Sequence, residues 1–150
     1  LETIVNLTLP GMTMRGIQLL RNLDTSLPSV AGDPGMLQQV FLNFVTNALD
    51  AMPQGGVLTI ATRPAMSVTQ NGRFVEVVVK DDGMGMSEEV KRKALEPFFT
   101  TKEPGKGAGL GLAICDEIIR GHHGKLDIES EEGKGSTIRL QLPAFSTEAP

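Results

Sequence analysis

The sequence has 150 residues, of which 40% are apolar and 21% charged, with a formal net charge of −4. These values are typical of one globular domain that buries a single core, and they exclude the basic stripe of a nucleic-acid-binding protein. Tryptophan and tyrosine are absent and cysteine occurs once, which excludes base stacking on large aromatic platforms and an internal disulfide.

Cys115 lies among apolar residues, and we interpret it as a small buried hydrophobe rather than a reactive thiol. An unpaired cysteine also favours a reducing compartment. No apolar run approaches the ~18 residues of a membrane-spanning helix, and no signal-peptide pattern opens the sequence. We therefore expect a cytoplasmic domain, whose parent protein is either soluble or membrane-anchored.

The first helical pattern contains Pro10-Gly11, so we predict a helix that breaks or kinks there. Roughly the first 15 and the last 7 residues are expected to be peripheral to a single domain that covers residues 1–150. Ile17 to Leu23 and a short piece around Val30 are predicted strands, because turn-prone residues separate two β-rich stretches.

Asp33 to Met52 is the longest predicted helix. Asp33 and Pro34 are an N-cap and a first-turn proline, and Pro53 ends the segment. Its apolar face is the predicted core: Leu37, Val40, Phe41, Phe44, Ala48, Ala51 and Met52. Its other face is an unusual line of amides and a carboxylate: Gln39, Asn43, Asn47 and Asp50. Asparagine is a mediocre helix former, so this face is either a plain solvated surface or a site.

The second half alternates hairpins and helices. Val57 to Thr62 and Phe74 to Lys80 are a predicted hairpin whose loop contains Pro64 and Asn71-Gly72. Phe98 to Gly109 has no periodicity and is predicted to be a mobile loop. The remaining predicted elements are a helix capped by Ser87 that runs to about Leu95, a helix from Leu110 to Arg120, and strands Lys125 to Ser130 and Thr137 to Leu142.

This element order predicts an α+β fold, in which helices cover one face of a mixed sheet in a two-layer sandwich. A doubly wound fold is disfavoured because strands and helices do not alternate strictly. The tail after Pro143 is predicted to fray.

Three glycine-rich segments are candidate ligand-binding turns: Asp81-Asp82-Gly83-Met84-Gly85, Gly107-Ala108-Gly109-Leu110-Gly111 and Gly133-Lys134-Gly135. The second leads into a helix, where backbone N–H groups at the positive helix terminus attract an anion. A Rossmann site is excluded because no apolar strand feeds this loop, and a P-loop because no Gly-Lys-Ser/Thr occurs. Each segment by itself is equally typical of a structural turn.

Together the motifs resemble a known family. Asn47, Asp81-x-Gly83-x-Gly85, Phe98-Phe99, Gly107-x-Gly109-x-Gly111 and Gly133-x-Gly135 resemble the N, G1, F, G2 and G3 boxes of the GHKL ATP-binding family. More closely, nearly the whole chain resembles the catalytic, ATP-binding domain of two-component sensor histidine kinases. Its Asn-Ala-x-Asp-Ala-Met stretch is similar to the nitrogen-sensor-like subgroup. The resemblance implies the Bergerat fold, ATP and Mg²⁺ as ligands, and transfer of the γ-phosphoryl group to a histidine on a separate dimerisation domain, with a response regulator downstream.

The chemistry of the motif residues agrees with this resemblance. An ionised Asp81 accepts a hydrogen bond from the exocyclic amine of adenine and repels the carbonyl of guanine, which selects ATP over GTP. Asn47 offers a neutral oxygen to Mg²⁺, a metal that prefers hard oxygen ligands and substrate phosphates. We expect no catalytic group beyond such positioning residues.

The resemblance implies further roles in the site. Asn43 joins Asn47 at the phosphate end, and Asp50, where many relatives have lysine, is a water-mediated partner of the metal. Met86 and Leu95 line the adenine slot, and Thr137 reaches the base through water. The other residues implied to contact nucleotide are Gly83, Gly85, Thr100, Thr101, Lys102, Lys106, Gly107, Ala108, Gly109, Leu110, Gly111 and Leu112; the two lysines are otherwise solvated.

No His-Glu phosphoacceptor box occurs in the sequence, so we expect no autophosphorylation without an acceptor domain. His122 and His123 precede Gly124, and we interpret them as turn residues rather than metal ligands or phosphoacceptors. Two alternatives stay open: a self-sufficient ATPase like the gyrase B subunit or mismatch-repair ATPases, and a nucleotide-binding regulatory module without transfer. Asn43 argues against the first, because those ATPases use glutamate there to activate water. We expect a monomer in isolation, without membrane or nucleic-acid contact.

Overall fold

The computed structural model describes residues 1–66 and 72–145. A five-stranded sheet has the order β1-β2-β3-β5-β4, with β1 and β2 parallel and the other neighbours antiparallel. This confirms the predicted α+β sandwich with a mixed sheet and helices on one face. The helices are α1 (Glu2–Met14), α2 (Pro34–Ala51), α3 (Glu88–Lys93) and α4 (Gly111–Gly121), and the strands are β1 (Ile17–Leu23), β2 (Gly56–Met66), β3 (Arg73–Asp81), β4 (Lys125–Glu131) and β5 (Gly135–Pro143).

Helix α2 is the central helix of the core. The Asp33 carboxylate caps it by accepting a hydrogen bond from the Met36 N–H at 2.9 Å, and Pro34 occupies its first turn. The predicted apolar face is buried against the sheet and α4, except that Ala51 is only half-buried. The buried residues of α2 are Leu37, Val40, Phe41, Phe44, Val45, Ala48 and Leu49.

Helix α1 corrects two predictions. It runs without a break through Pro10 to Met14, so the predicted break is wrong. Asn6 and Pro10 are both exposed, so solvent can satisfy the carbonyl that proline leaves without a donor. The helix is also not peripheral, because Ile4, Val5 and Met12 are buried in the core. Burial of these side chains outweighs the local cost of proline, since tertiary packing supplies most helix stability.

Three smaller predictions also need correction. Val30 makes a single bridge to Ala144 instead of a strand. Pro64 lies inside β2, not in a loop; β1 pairs with β2 only as far as Thr62, so Pro64 sits where its missing N–H costs no β1 bond. The short helix α3 ends at Lys93, before Leu95. Asn71 and the tail beyond Phe145 lie outside the described residues.

Cys115 is fully buried in the core, which confirms its interpretation as a small hydrophobe. Burial raises the pKa of its thiol to about 11, so the nucleophilic thiolate is scarce at neutral pH. Within residues 1–66 and 72–145, no helix is both long enough and apolar enough to cross a membrane.

Candidate functional site

The polar face of α2 is the point where distant parts of the chain meet. Asn43, Asn47 and Asp50 are half-buried and follow one another at helical spacing. A Cβ added at Gly111 would lie 3.2 Å from the Asn43 side-chain oxygen, and one added at Gly83 would overlap the Ala51 carbonyl oxygen. Gly111 therefore lies against this face and Gly83 lies against the last turn of α2, and a larger residue at either position would crowd the contact.

Asp81 is the buried acid of the site. Its side chain ends β3 with 6% exposure, and one carboxylate oxygen accepts from the Gly83 N–H at 2.9 Å. Burial raises the pKa of Asp81, the neighbouring Asp82 adds to the rise, and the backbone amides of Gly83 and Ser136 oppose it. No lysine or arginine is among the groups that shift it. A ligand that donates a hydrogen bond to this carboxylate would therefore stabilise its ionised form.

Two glycine turns hold Asp81 in place. The Met84 carbonyl accepts from the Gly133 N–H at 2.8 Å, which joins the turn after β3 to the turn between β4 and β5. Gly85 has φ +64°, and a Cβ there would overlap the Glu131 carbonyl oxygen. Positive φ and close backbone contact together require glycine. The neighbouring Asp82 is structural, since it accepts from the Val57 N–H at 2.8 Å.

The sheet does not bring Thr137 to Asp81. In the β3–β5 register, Asp81 lies opposite Ser136 and Lys80 lies opposite Thr137. Side chains at paired positions share a face of the sheet, so Thr137 faces the same way as Lys80, away from Asp81. Ser136 shares the face of Asp81, and the predicted water-mediated role of Thr137 stays a prediction that this register does not favour. Only the strand register distinguishes these two hydroxyl residues.

The loop from Thr100 to Gly109, which we call the lid, lies outside regular secondary structure. The two ends of the lid lie close together, because Gly109, with φ +71°, packs against the backbone of Phe98 and Phe99. Phe98 itself has φ +66° and is 76% exposed. Residues 100–108 are exposed, which leaves the lid few apolar contacts of its own.

The two lid lysines are paired with carboxylates. Lys102 Nζ lies 2.6 Å from Asp50 Oδ2, and Arg15 Nη1 lies 3.3 Å from Asp50 Oδ1. Lys106 pairs with Glu103 at 2.6 Å within the lid. Asp50, expected beside a metal, therefore links α2 to the lid and to the end of α1. Sequence reasoning missed Arg15, since nothing in the sequence relates it to Asp50.

The residues predicted to line the adenine slot are partly accessible. Met86, Leu95, Leu110 and Leu112 are all half-buried, as suits a slot that is open to a ligand. The Met86 N–H donates to Ser130 Oγ at 2.8 Å, which ties this lining to β4.

The two histidines hold a turn, as predicted. The Nε2 atom of His122 accepts from the Asp33 N–H at 3.0 Å, and its Nδ1–H donates to the Ile118 carbonyl at 2.7 Å. This tautomer is assigned from the partners, because a carbonyl only accepts. His123 has φ +57° and follows the last turn of α4. His122 therefore ties the end of α4 to the start of α2.

The side-chain oxygens fit a magnesium ion that substrate helps to bind. Within the described residues there is no group of three or more His, Cys, Asp or Glu that could hold a metal. Asn47 makes no side-chain hydrogen bond to another described residue, so its amide oxygen is available. Mg²⁺ is commonly bound by one or two protein oxygens together with water and phosphates.

Comparison with known proteins identifies the family of this chain. Residues 32–146 match the family model described as "Histidine kinase-, DNA gyrase B-, and HSP90-like ATPase". Sporulation kinase C of Bacillus subtilis (strain 168) is 46% identical over 117 residues, which are 78% of this chain and 26% of that protein. The sensor histidine kinase ZraS of Escherichia coli (strain K12) is 36% identical over 151 residues, covering 98% of this chain and 31% of that protein.

Solved structures agree with the sequence relatives. The nucleotide-free catalytic domain of histidine kinase ThkA superimposes with a TM-score of 0.80 and 30% identity, covering 95% of this chain and 90% of that one. Full-length ShkA in complex with AMPPNP gives a TM-score of 0.78 at 27% identity, covering 99% of this chain and 30% of that one. The chain spans less than a third of the two curated relatives. It belongs to the histidine kinase-, DNA gyrase B- and HSP90-like ATPase family, as the catalytic, ATP-binding domain of a sensor histidine kinase.

Proposed function

We propose that this domain binds ATP with Mg²⁺ and donates the γ-phosphoryl group to a histidine on a separate dimerisation domain. The observation that supports it most is Asp81: a buried carboxylate with a raised pKa that pairs with no lysine or arginine among the described residues. An adenine amine is a donor of the kind that this acceptor lacks. Relatives named as a sporulation kinase and as a sensor histidine kinase support this class of reaction.

The chain's own residues position the substrate. Asp81 reads the adenine amine, and Ser136, opposite Asp81 in the register, is better placed than Thr137 to assist it through water. Asn47 offers its amide oxygen to Mg²⁺, with Asn43 beside it on the same face. A bound Mg²⁺ supplies charge neutralisation for the phosphates. The backbone amides at the start of α4 and the lid bind the remaining phosphate oxygens.

The partners follow from what this chain lacks and what it exposes. The sequence contains no His-Glu box, and the histidine ring of His122 is occupied by the turn at both nitrogens. The acceptor histidine therefore belongs to a helical dimerisation domain, and a response regulator receives the phosphoryl group after it. The exposed Phe98, beside the lid, is an apolar contact suited to that acceptor domain.

The test is nucleotide binding followed by transfer. ATP and ADP with Mg²⁺ should raise the melting temperature and GTP should not; at ~100 times the dissociation constant the added stability is about 2.7 kcal/mol. Adding a cognate pair of acceptor helices should then produce acid-labile phosphohistidine. Equal shifts with GTP would remove Asp81 from base recognition. Binding without any phosphohistidine would favour a nucleotide-binding regulatory module.

A further inference from the structure

Asp50 binds two cations that come from different parts of the fold. Its Oδ2 accepts from Lys102 Nζ at 2.6 Å, and its Oδ1 accepts from Arg15 Nη1 at 3.3 Å. Arg15 caps the C-terminal end of α1, Asp50 lies in the last turn of α2, and Lys102 lies in the lid. We call these three side chains the Arg15–Asp50–Lys102 bridge. Two cations against one carboxylate leave the bridge with a net positive charge at neutral pH.

The lid is shaped to direct Lys102 toward α2. A Cβ added at Gly107 would lie 2.9 Å from Lys102 Cδ, so a larger residue there would push the lysine stem away. The Lys102 N–H donates to Thr100 Oγ1 at 3.1 Å, which fixes the start of the side chain. An ammonium group has three N–H donors, so Lys102 can donate one to Asp50 and keep two for an anion.

The bridge lies beside the proposed phosphate end of the site. Asp50 follows Asn47 by three residues, and positions with this spacing are neighbours on one helix face. Both side chains are half-buried. Through Asp50, the Lys102 ammonium is therefore held within one helical turn of the amide that is proposed to contact Mg²⁺.

We infer that Asp50 is a positioning residue for the triphosphate, because it holds the Lys102 ammonium at the phosphate end while Arg15 offsets its own negative charge. This inference rests on the proposed function. It gives Asp50 a role beyond the water-mediated contact with the metal that the resemblance implies. The inference also predicts the direction in which removal of the Asp50 carboxylate changes the affinity for ATP. A carboxylate that only stands near phosphates repels them, so its removal would tighten ATP binding, whereas removal of a positioning carboxylate weakens it.

The decisive experiment compares the dissociation constants of ATP·Mg²⁺ and adenosine, measured by titration calorimetry and ligand-observed NMR. Asp50→Asn should weaken ATP·Mg²⁺ by about tenfold, which is about 1.4 kcal/mol, and leave adenosine unchanged because adenosine has no phosphate. Lys102→Met should do the same. The double variant should be no weaker than Lys102→Met alone, because both changes remove one interaction.

Glu103→Gln is the matched control. Like Asp50→Asn it removes one negative charge, but it removes it from the lid and leaves α2 unchanged. It should leave ATP affinity unchanged or slightly tighter, and Asp50→Glu should restore most of the affinity that Asp50→Asn loses. Melting temperatures of all variants establish that they fold; if Asp50→Asn does not, Arg15→Gln is the second variant and should weaken ATP but not adenosine.

Three results would overturn the inference. These are ATP affinity that stays equal or rises in Asp50→Asn, equal losses for adenosine, or additive losses in the double variant. If the unaltered protein binds neither ATP nor adenosine, the proposed function fails first and the role of Asp50 falls with it. The two failures are therefore distinguishable.

Discussion

Asp81 is the residue at which stability and binding are expected to oppose each other. Its folded pKa is raised above the ordinary value of 3.8, so its contribution to stability is complete below that value and is lost as pH rises through the folded pKa. Asp81→Asn removes the free-energy cost of burying the ionised carboxylate at neutral pH. The ligand-free variant should melt higher than the unaltered domain while its ATP-induced shift disappears.

Thermal melts from about pH 3 to about pH 8, with and without ATP·Mg²⁺, test this prediction. This range extends from below the ordinary carboxyl pKa to above neutral pH. Asp127→Asn, on the exposed face of β4, is the control and should change neither quantity. An Asp81→Asn variant that melts lower without nucleotide would mean that the carboxylate stabilises the fold.

His123 is a non-glycine residue in a left-handed conformation, with φ +57° at the end of α4. Glycine adopts this conformation without steric cost and is the usual residue at such helix ends. His123→Gly relieves about 1–2 kcal/mol of left-handed strain and loses about 0.4–1 kcal/mol to the greater freedom of the unfolded chain, so it should stabilise the domain by about 0.5–1 kcal/mol in urea unfolding. His122→Ala is the contrast: it removes the hydrogen bond that joins the end of α4 to the Asp33 N–H and the one to the Ile118 carbonyl within α4, and it should destabilise by roughly 1–3 kcal/mol. A destabilised His123→Gly would assign His123 a contact that its exposed position does not show.

At the scale of elements, the two turns around Asp81 depend on contact between their backbones. Gly85→Ala combines strain at φ +64° with overlap of the Glu131 carbonyl oxygen. Gly133→Ala has comparable strain at φ +80°, but a Cβ there meets nothing within 4 Å. The first should therefore cost clearly more than the second, for which left-handed strain alone predicts about 1–2 kcal/mol.

Urea unfolding of both glycine variants, together with ATP titration, measures this difference. Gly85→Ala should also lose ATP binding, because it displaces the turn that connects Asp81 to Met86. Equal costs for the two substitutions would show that the turns are not in close backbone contact.

For the whole molecule, we expect ATP binding with almost no turnover. GHKL-type hydrolysis requires a base near the γ-phosphate, and the position one turn before Asn47 is Asn43, whose amide cannot accept a proton at neutral pH. Asn43 also lies against the Cys115 thiol and the Gly111 backbone, so it is part of the packing. Phosphate release by the purified domain should therefore stay close to background.

A coupled phosphate-release assay, with and without acceptor helices in trans, tests this expectation. Transfer should appear only with the helices. Rapid hydrolysis that Asn43→Ala abolishes would place the chain with the self-sufficient ATPases, and radiolabel on His122 or His123 would contradict their assignment to the turn.

The sequence by itself determined the elements whose signals are local. The cap at Asp33, the apolar period of α2, the alternating strands and the order of the glycine boxes each depend on residues close in sequence, and all have counterparts in the fold. The motif order also predicted roles for Asp81 and the lid, because the boxes taken together resemble one family although each by itself is equally typical of a structural turn.

Only the tertiary structure decided what depends on contacts between distant residues. Helix α1 continues through Pro10 because three of its side chains enter the core. Ser136 rather than Thr137 faces Asp81, because strand register fixes which alternate side chains share a face. Asp50 binds Lys102 and Arg15 across separations of 52 and 35 residues. A local pattern carries no record of such partners, since pairing across the chain is set by packing and by charge in the folded molecule.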